Sequence, residues 1–84
     1  MRPVATDSDI TAAIAAGVGA YKKRLEEKGR EIWMSPHEIS GQLTEEFDEF
    51  KQDVHDNIDL IAELEDIIVA AMHGIASIKS GKMG

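Results

Sequence analysis

The sequence predicts an all-α fold, a small antiparallel helical bundle of about three helices completed by homo-oligomerisation. Apolar residues recur at spacings of three and four along most of the chain, helix-start signals stand where those patterns begin, and no segment alternates apolar and polar residues as a strand would. The third observation is size. With 84 residues, the chain makes one domain, residues 1–84, and a lone core of that size buries only ~60–65% of the surface its unfolded chain exposes. Association of subunits is the simplest remedy.

Thr6 followed by Asp9, then Ile10, Ile14, Val18, Tyr21 and Leu25, predicts a capped first helix over about 7–28, with Gly29 as its stop. From Ala12 to Ala20 every residue is small or apolar. A helix with no polar face there needs cover on both sides, and the second cover is expected from another subunit. Ser35, Pro36 and Glu38 supply a cap, a first helical residue and a capping-box acid for a second helix over about 36–54, with a stripe at Ile39, Leu43, Phe47, Phe50 and Val54. A third helix is expected over about 57–79, turning Leu60, Ile61, Leu64, Ile67, Ile68, Ala71, Met72, Ile75 and Ile78 inward, with a frayed tail at 80–84.

No Gly or Pro divides the last two helices, and the seam from Leu43 through Asn57 to Ile78 keeps heptad spacing, so one long coiled coil is the structural rival. The apolar face is too wide for a two-stranded seam, since Ile58, Leu60, Ile67 and Met72 flank it. Asp56 or Asn57 offers a new helix cap. A hairpin is therefore favoured.

The charge is unevenly placed. There are 16 acidic and 9 basic residues, a net charge of −7, and the stretch 45–66 alone holds ten of the acids with Lys51 as its single base. That balance disfavours a nucleic-acid grip through phosphate neutralisation. The absence of Cys excludes disulfides, thiolate metal sites and cysteine nucleophiles. Charge-free runs such as Ile10 to Ala20 are too short to span a bilayer. A cytoplasmic protein without membrane or nucleic-acid partners is expected.

If the chain turns back at Asp56, Glu49 faces Glu63 and Glu46 faces Asp66, each pair lying three residues apart on its own helix. Four carboxylates then converge beside the packed interface. Helix axes ~8–10 Å apart leave a gap that such side chains can close around hard cations. Oxygen-only ligands point to magnesium, with manganese as the alternative, over zinc. Without metal, the group repels itself and takes up protons.

The pattern Glu45-Glu46-x-x-Glu49, thirteen intervening residues, then Glu63-x-x-Asp66 resembles the signature of the MazG-like, all-α nucleoside triphosphate pyrophosphohydrolases, over roughly residues 35–78. The stretch from Pro36-His37-Glu38 to Phe50 is also similar to members found on phages and mobile elements. The resemblance implies metal-dependent hydrolysis of a nucleoside triphosphate, often a deoxynucleotide, between its α and β phosphates. It assigns Glu46, Glu49, Glu63 and Asp66 as magnesium ligands and Glu45 and Glu49 as catalytic residues. It also implies a homodimer or homotetramer whose sites a neighbouring chain completes. Glu65 stands where the family often has a small residue.

Further substrate contacts are expected from Trp33 and His37 toward the base, from Gln42 on the edge shared with the acids, and from His73, Lys51 and Lys79 toward the phosphates. Each has a plainer reading, as core aromatic, surface polar group, buried histidine or solvated lysine. The whole constellation also has a plainer reading from a different class: a non-catalytic helical oligomerisation or regulatory protein whose acids only solvate a coiled coil.

Overall fold

In the computed structural model, which describes residues 1–56 and 58–84, three helices form: α1 (Asp7–Lys28), α2 (Pro36–Asp56) and α3 (Leu60–Lys79). There is no strand among the described residues. At the start of α1 the Thr6 hydroxyl accepts from the Asp9 amide at 3.1 Å, and the Asp9 carboxylate accepts from the Thr6 amide at 2.9 Å. These bonds hold the Asp9 carboxyl below its ordinary range, the Thr6 amide contributing most. α1 ends where Gly29 takes φ 79° and its amide donates to the Leu25 carbonyl, a conformation that side chains with a Cβ rarely adopt.

Ser35 opens α2 by accepting from the Glu38 amide at 3.3 Å, while Glu38 accepts from the Met34 amide at 3.4 Å. α2 runs through Asp56, and the chain has turned back by Leu60, so the single unbroken rod does not form. The cap of α3 differs from expectation. Asp59 accepts from the Ile61 amide at 3.0 Å, so the helix begins at Leu60 and not near 57, while Asp56 is the last residue of α2. The alternative cap, Asn57, lies outside the described residues.

α3 is the central element. α1 and α2 each pack against it, and neither packs against the other. Two glycines set the closeness of these contacts. A Cβ on Gly74 would stand 3.0 Å from Ile39 Cγ2, and one on Gly17 3.3 Å from Ile68 Cγ2. The fully buried residues lie mostly on α3, at Ala70, His73, Gly74 and Ser77.

Several residues expected to face inward stay exposed in the single chain: Phe47, Val54, Ile61, Leu64, Ile68, Ile75 and Ile78. One helix cannot cover both sides of an α2–α3 pair, so these positions lack a covering layer. The radius of gyration is 14.6 Å, against ~12 Å for a compact domain of this length.

Candidate metal centre

The α2–α3 hairpin brings together the four carboxylates that the register predicted. One ligand oxygen from each of Glu46, Glu49, Glu63 and Asp66 can be chosen so that all lie within 4.8 Å of one another. Oxygens at opposite positions around one magnesium stand ~4.2 Å apart. The group is therefore within small side-chain movements of a cage.

Its electrostatics explain what such a cage would relieve. Glu46 Oε2 and Glu63 Oε2 are buried without a hydrogen-bond partner among the described residues. Desolvation first, then the charges of Glu49, Asp66 and Glu45, push the Glu46 carboxyl above its ordinary range. Glu63 is pushed from 4.5 to about 7, by desolvation first and then by Asp53, with Asp66 and Glu49 adding to it. Two stranded oxygens and two carboxyls that resist ionisation fit a divalent cation, which would satisfy the first and offset the second.

The remaining candidates fall in three places. Trp33 and Gln42 line a cleft of about 480 Å³ that also reaches Glu46 and Asp66. Glu45 is exposed beside Glu46 and outside the group of four. His37, Lys51 and Lys79 are exposed and do not line this cleft; Lys51 instead pairs with Asp48 at 3.4 Å and lies over the Phe47 ring.

His73 serves the fold. It is 2% exposed, with Nε2 2.8 Å from the Glu31 carbonyl and Nδ1 3.0 Å from the Tyr21 hydroxyl. A carbonyl only accepts, so Nε2 carries the hydrogen and Nδ1 accepts from Tyr21. The ring meets Trp33 edge-on at 4.8 Å, and Ser77 Oγ accepts from the Trp33 amide at 3.0 Å. Both ring nitrogens are thus engaged, and the pair His73 and Ser77 fixes the connector that carries Trp33.

The structure adds residues that the spacing did not single out as functional. Asp53 stands near Glu63 and adds to the forces that raise its carboxyl. Lys23, Arg24 and Lys28 line the same cleft from α1. Their spacing places them on one side of a helix, but which side α1 presents depends on tertiary packing.

No protein-family model matches the chain, and no curated protein or solved structure matches it.

Proposed function

We propose that this chain hydrolyses nucleoside or deoxynucleoside triphosphates with magnesium, cleaving between the α and β phosphates to give the monophosphate and pyrophosphate. The observation that supports it most is the convergence of Glu46, Glu49, Glu63 and Asp66, two of them with buried oxygens that have no hydrogen-bond partner among the described residues. The resemblance of the same residues to the MazG-like pattern supplies the reaction class.

In this reading those four side chains hold magnesium or manganese. The chemistry a bound divalent ion supplies there is charge neutralisation on the phosphates and activation of water. Glu45, one turn ahead of Glu49 and outside the group, accepts a proton from the attacking water. Trp33 and Gln42 line the cleft that also reaches Glu46 and Asp66, and contact the nucleoside. The leaving group is pyrophosphate, whose oxygen takes the electrons of the broken bond.

The active form is a homo-oligomer, a dimer in its simplest version. The chain exposes 6475 Å², about 1,500 Å² more than a compact monomer of this mass. That excess matches one side of an obligate homodimer interface, roughly 1,000–2,500 Å². Ile10, Ile14 and Val18 on α1 are exposed, and Ala13, Gly17, Ile68 and Met72 continue the patch as an apolar groove.

The test is pyrophosphate release from a panel of NTPs and dNTPs, with and without chelator. Metal-dependent turnover is expected, falling by about a hundredfold in Glu49→Gln and Asp66→Asn, the usual scale for removing one preorganised charge contact. Absence of metal-dependent turnover across the panel would leave the non-catalytic helical assembly as the reading.

A further inference from the structure

The cleft has two unlike walls. Glu46, Glu65 and Asp66 lie on the α2–α3 side, while the α1 side carries Lys23, Arg24 and Lys28 with the single acid Glu27 among them, three positive charges against one. α1 and α2 do not pack on each other, so the cleft separates two helices that both pack on α3 and are joined by the connector that carries Trp33. A ligand filling it touches both.

The C-terminal end of a helix favours positive charge whatever it faces, but only within the last turn, which explains Lys28 and neither Lys23 nor Arg24. The neighbouring Lys22 is exposed and does not line the cleft. Nor are the three consumed by partners. Lys23 approaches Glu27 at 3.9 Å with both side chains largely exposed, a pairing of little strength. Arg24 spends one N–H on the Gly29 carbonyl at 3.2 Å, and its guanidinium lies 5.8 Å from the Trp33 ring centre. These two contacts hold Arg24 at the cleft and leave its other donors for a ligand.

Resting on the reading of the carboxylates as a metal centre, we propose that Lys23, Arg24 and Lys28 form the anion-binding wall for the substrate's phosphate chain. A chain of phosphates gripped there and on the metal side spans the cleft and ties the side of α1 to that of α2, which do not pack on each other. The ligand class is an extended polyphosphate, because a chain of phosphates offers oxygens both to the three cations and to a metal held by the carboxylates. The same bridging predicts that ligand binding stiffens the position of α1. Arg24 supplies a forked donor and the two lysines supply point charges.

Two titrations separate this inference from the reading beneath it. The first adds manganese alone to the wild type, followed by electron paramagnetic resonance. The second adds inorganic tripolyphosphate in the presence of calcium, followed by calorimetry and melting temperature. Wild type is expected to bind manganese, and to bind tripolyphosphate more tightly than orthophosphate. The triple variant Lys23→Gln, Arg24→Gln, Lys28→Gln is expected to keep its helical circular dichroism and its manganese affinity while losing tripolyphosphate affinity by about tenfold or more. The charge-preserving variant Lys23→Arg, Lys28→Arg, which leaves Arg24 in place, keeps most of it, and Lys22→Gln changes nothing. If the neutral triple variant binds manganese and tripolyphosphate as wild type does, the basic wall is refuted and the metal centre stands. If wild type takes up no manganese, the metal centre falls and this inference falls with it. If the neutral triple variant loses its helical signal, the charge-preserving variant decides: equal loss of tripolyphosphate binding there, with the fold and manganese binding intact, overturns the proposal.

Discussion

Asp53 of α2 stands near Glu63 of α3, and its charge is the largest influence after desolvation on the Glu63 carboxyl. Desolvation and this neighbour raise the Glu63 carboxyl from 4.5 to about 7. Between those values the folded chain keeps a proton that the unfolded chain has released. Glu63's contribution to stability is therefore complete below its ordinary value and lost as pH rises through about 7. The melting temperature of the protein in chelator is expected to fall between about pH 5 and pH 8, and Glu63→Gln should flatten that fall. A wild-type curve that rises over this window contradicts the arrangement.

Divalent metal should reverse the trend. Protons and cations compete for the same oxygens, so binding releases protons and affinity rises with pH. Magnesium at a hundred times its dissociation constant should stabilise the fold by about 2.7 kcal/mol. Asp66→Asn, which removes one of the converging carboxylates, should reduce the gain sharply. Thermal melts in magnesium and in chelator measure this directly, and equal melting temperatures at pH 8 would count against a metal centre.

The hairpin and its acidic group were legible in the sequence because both depend on local quantities. Helical period and a turn near Asp56 fix which residues of α2 and α3 stand level, and that register alone brings Glu46 to Asp66 and Glu49 to Glu63. What faces α1 was not legible. Lys22 and Lys23 are adjacent in an unbroken helix, and only the docking of α1 on α3 decides that Lys23 lines the cleft and Lys22 does not. His73 shows the same limit. Its position on α3 continues the side of Glu63 and Asp66, but its partners, Tyr21 and the Glu31 carbonyl, come from segments more than forty residues away. Asp59 displaced the expected cap for a local reason: its side chain reaches the Ile61 amide and leaves Asp56 inside α2.

Gly74 sets how closely α2 approaches α3. An alanine Cβ there would meet Ile39 Cγ2 at 3.0 Å, on a β-branched side chain that is itself half-buried. Gly74→Ala is expected to destabilise the protein by about 1–3 kcal/mol. Gly41 lies within α2 with nothing near its would-be Cβ, so Gly41→Ala should stabilise by about 0.5–1 kcal/mol. Urea unfolding of the two variants checks the contrast, and equal effects would contradict the close packing at Gly74.

The exposed face of α1 gives a prediction about assembly. Ile14 is 64% exposed and borders the groove formed with Gly17 and Ile68. Ile14→Glu puts a charge on a surface that a second copy would dehydrate, a cost that association must overcome. Sedimentation velocity is expected to show the wild type as an oligomer and this variant as a monomer. An unchanged oligomer would move the interface elsewhere, and a monomeric wild type would remove it.

Ser77 tests whether the connector is held as the bonds indicate. Its hydroxyl donates to the His73 carbonyl at 2.8 Å and accepts from the Trp33 amide at 3.0 Å, and the residue is fully buried. Ser77→Ala leaves the Trp33 amide without its acceptor. Stranding one donor in a half-buried position costs about 1–3 kcal/mol. Trp33 is the sole tryptophan, so its fluorescence reports the connector alone. With the amide released, the ring loses its fixed edge-on contact with His73, and its emission should shift to longer wavelength as water gains access. The change should precede global unfolding in a denaturant series, because the connector can detach while α2 remains packed on α3. Coincident fluorescence and circular-dichroism transitions in the variant, at the wild-type midpoint, would mean that this bond does not anchor Trp33.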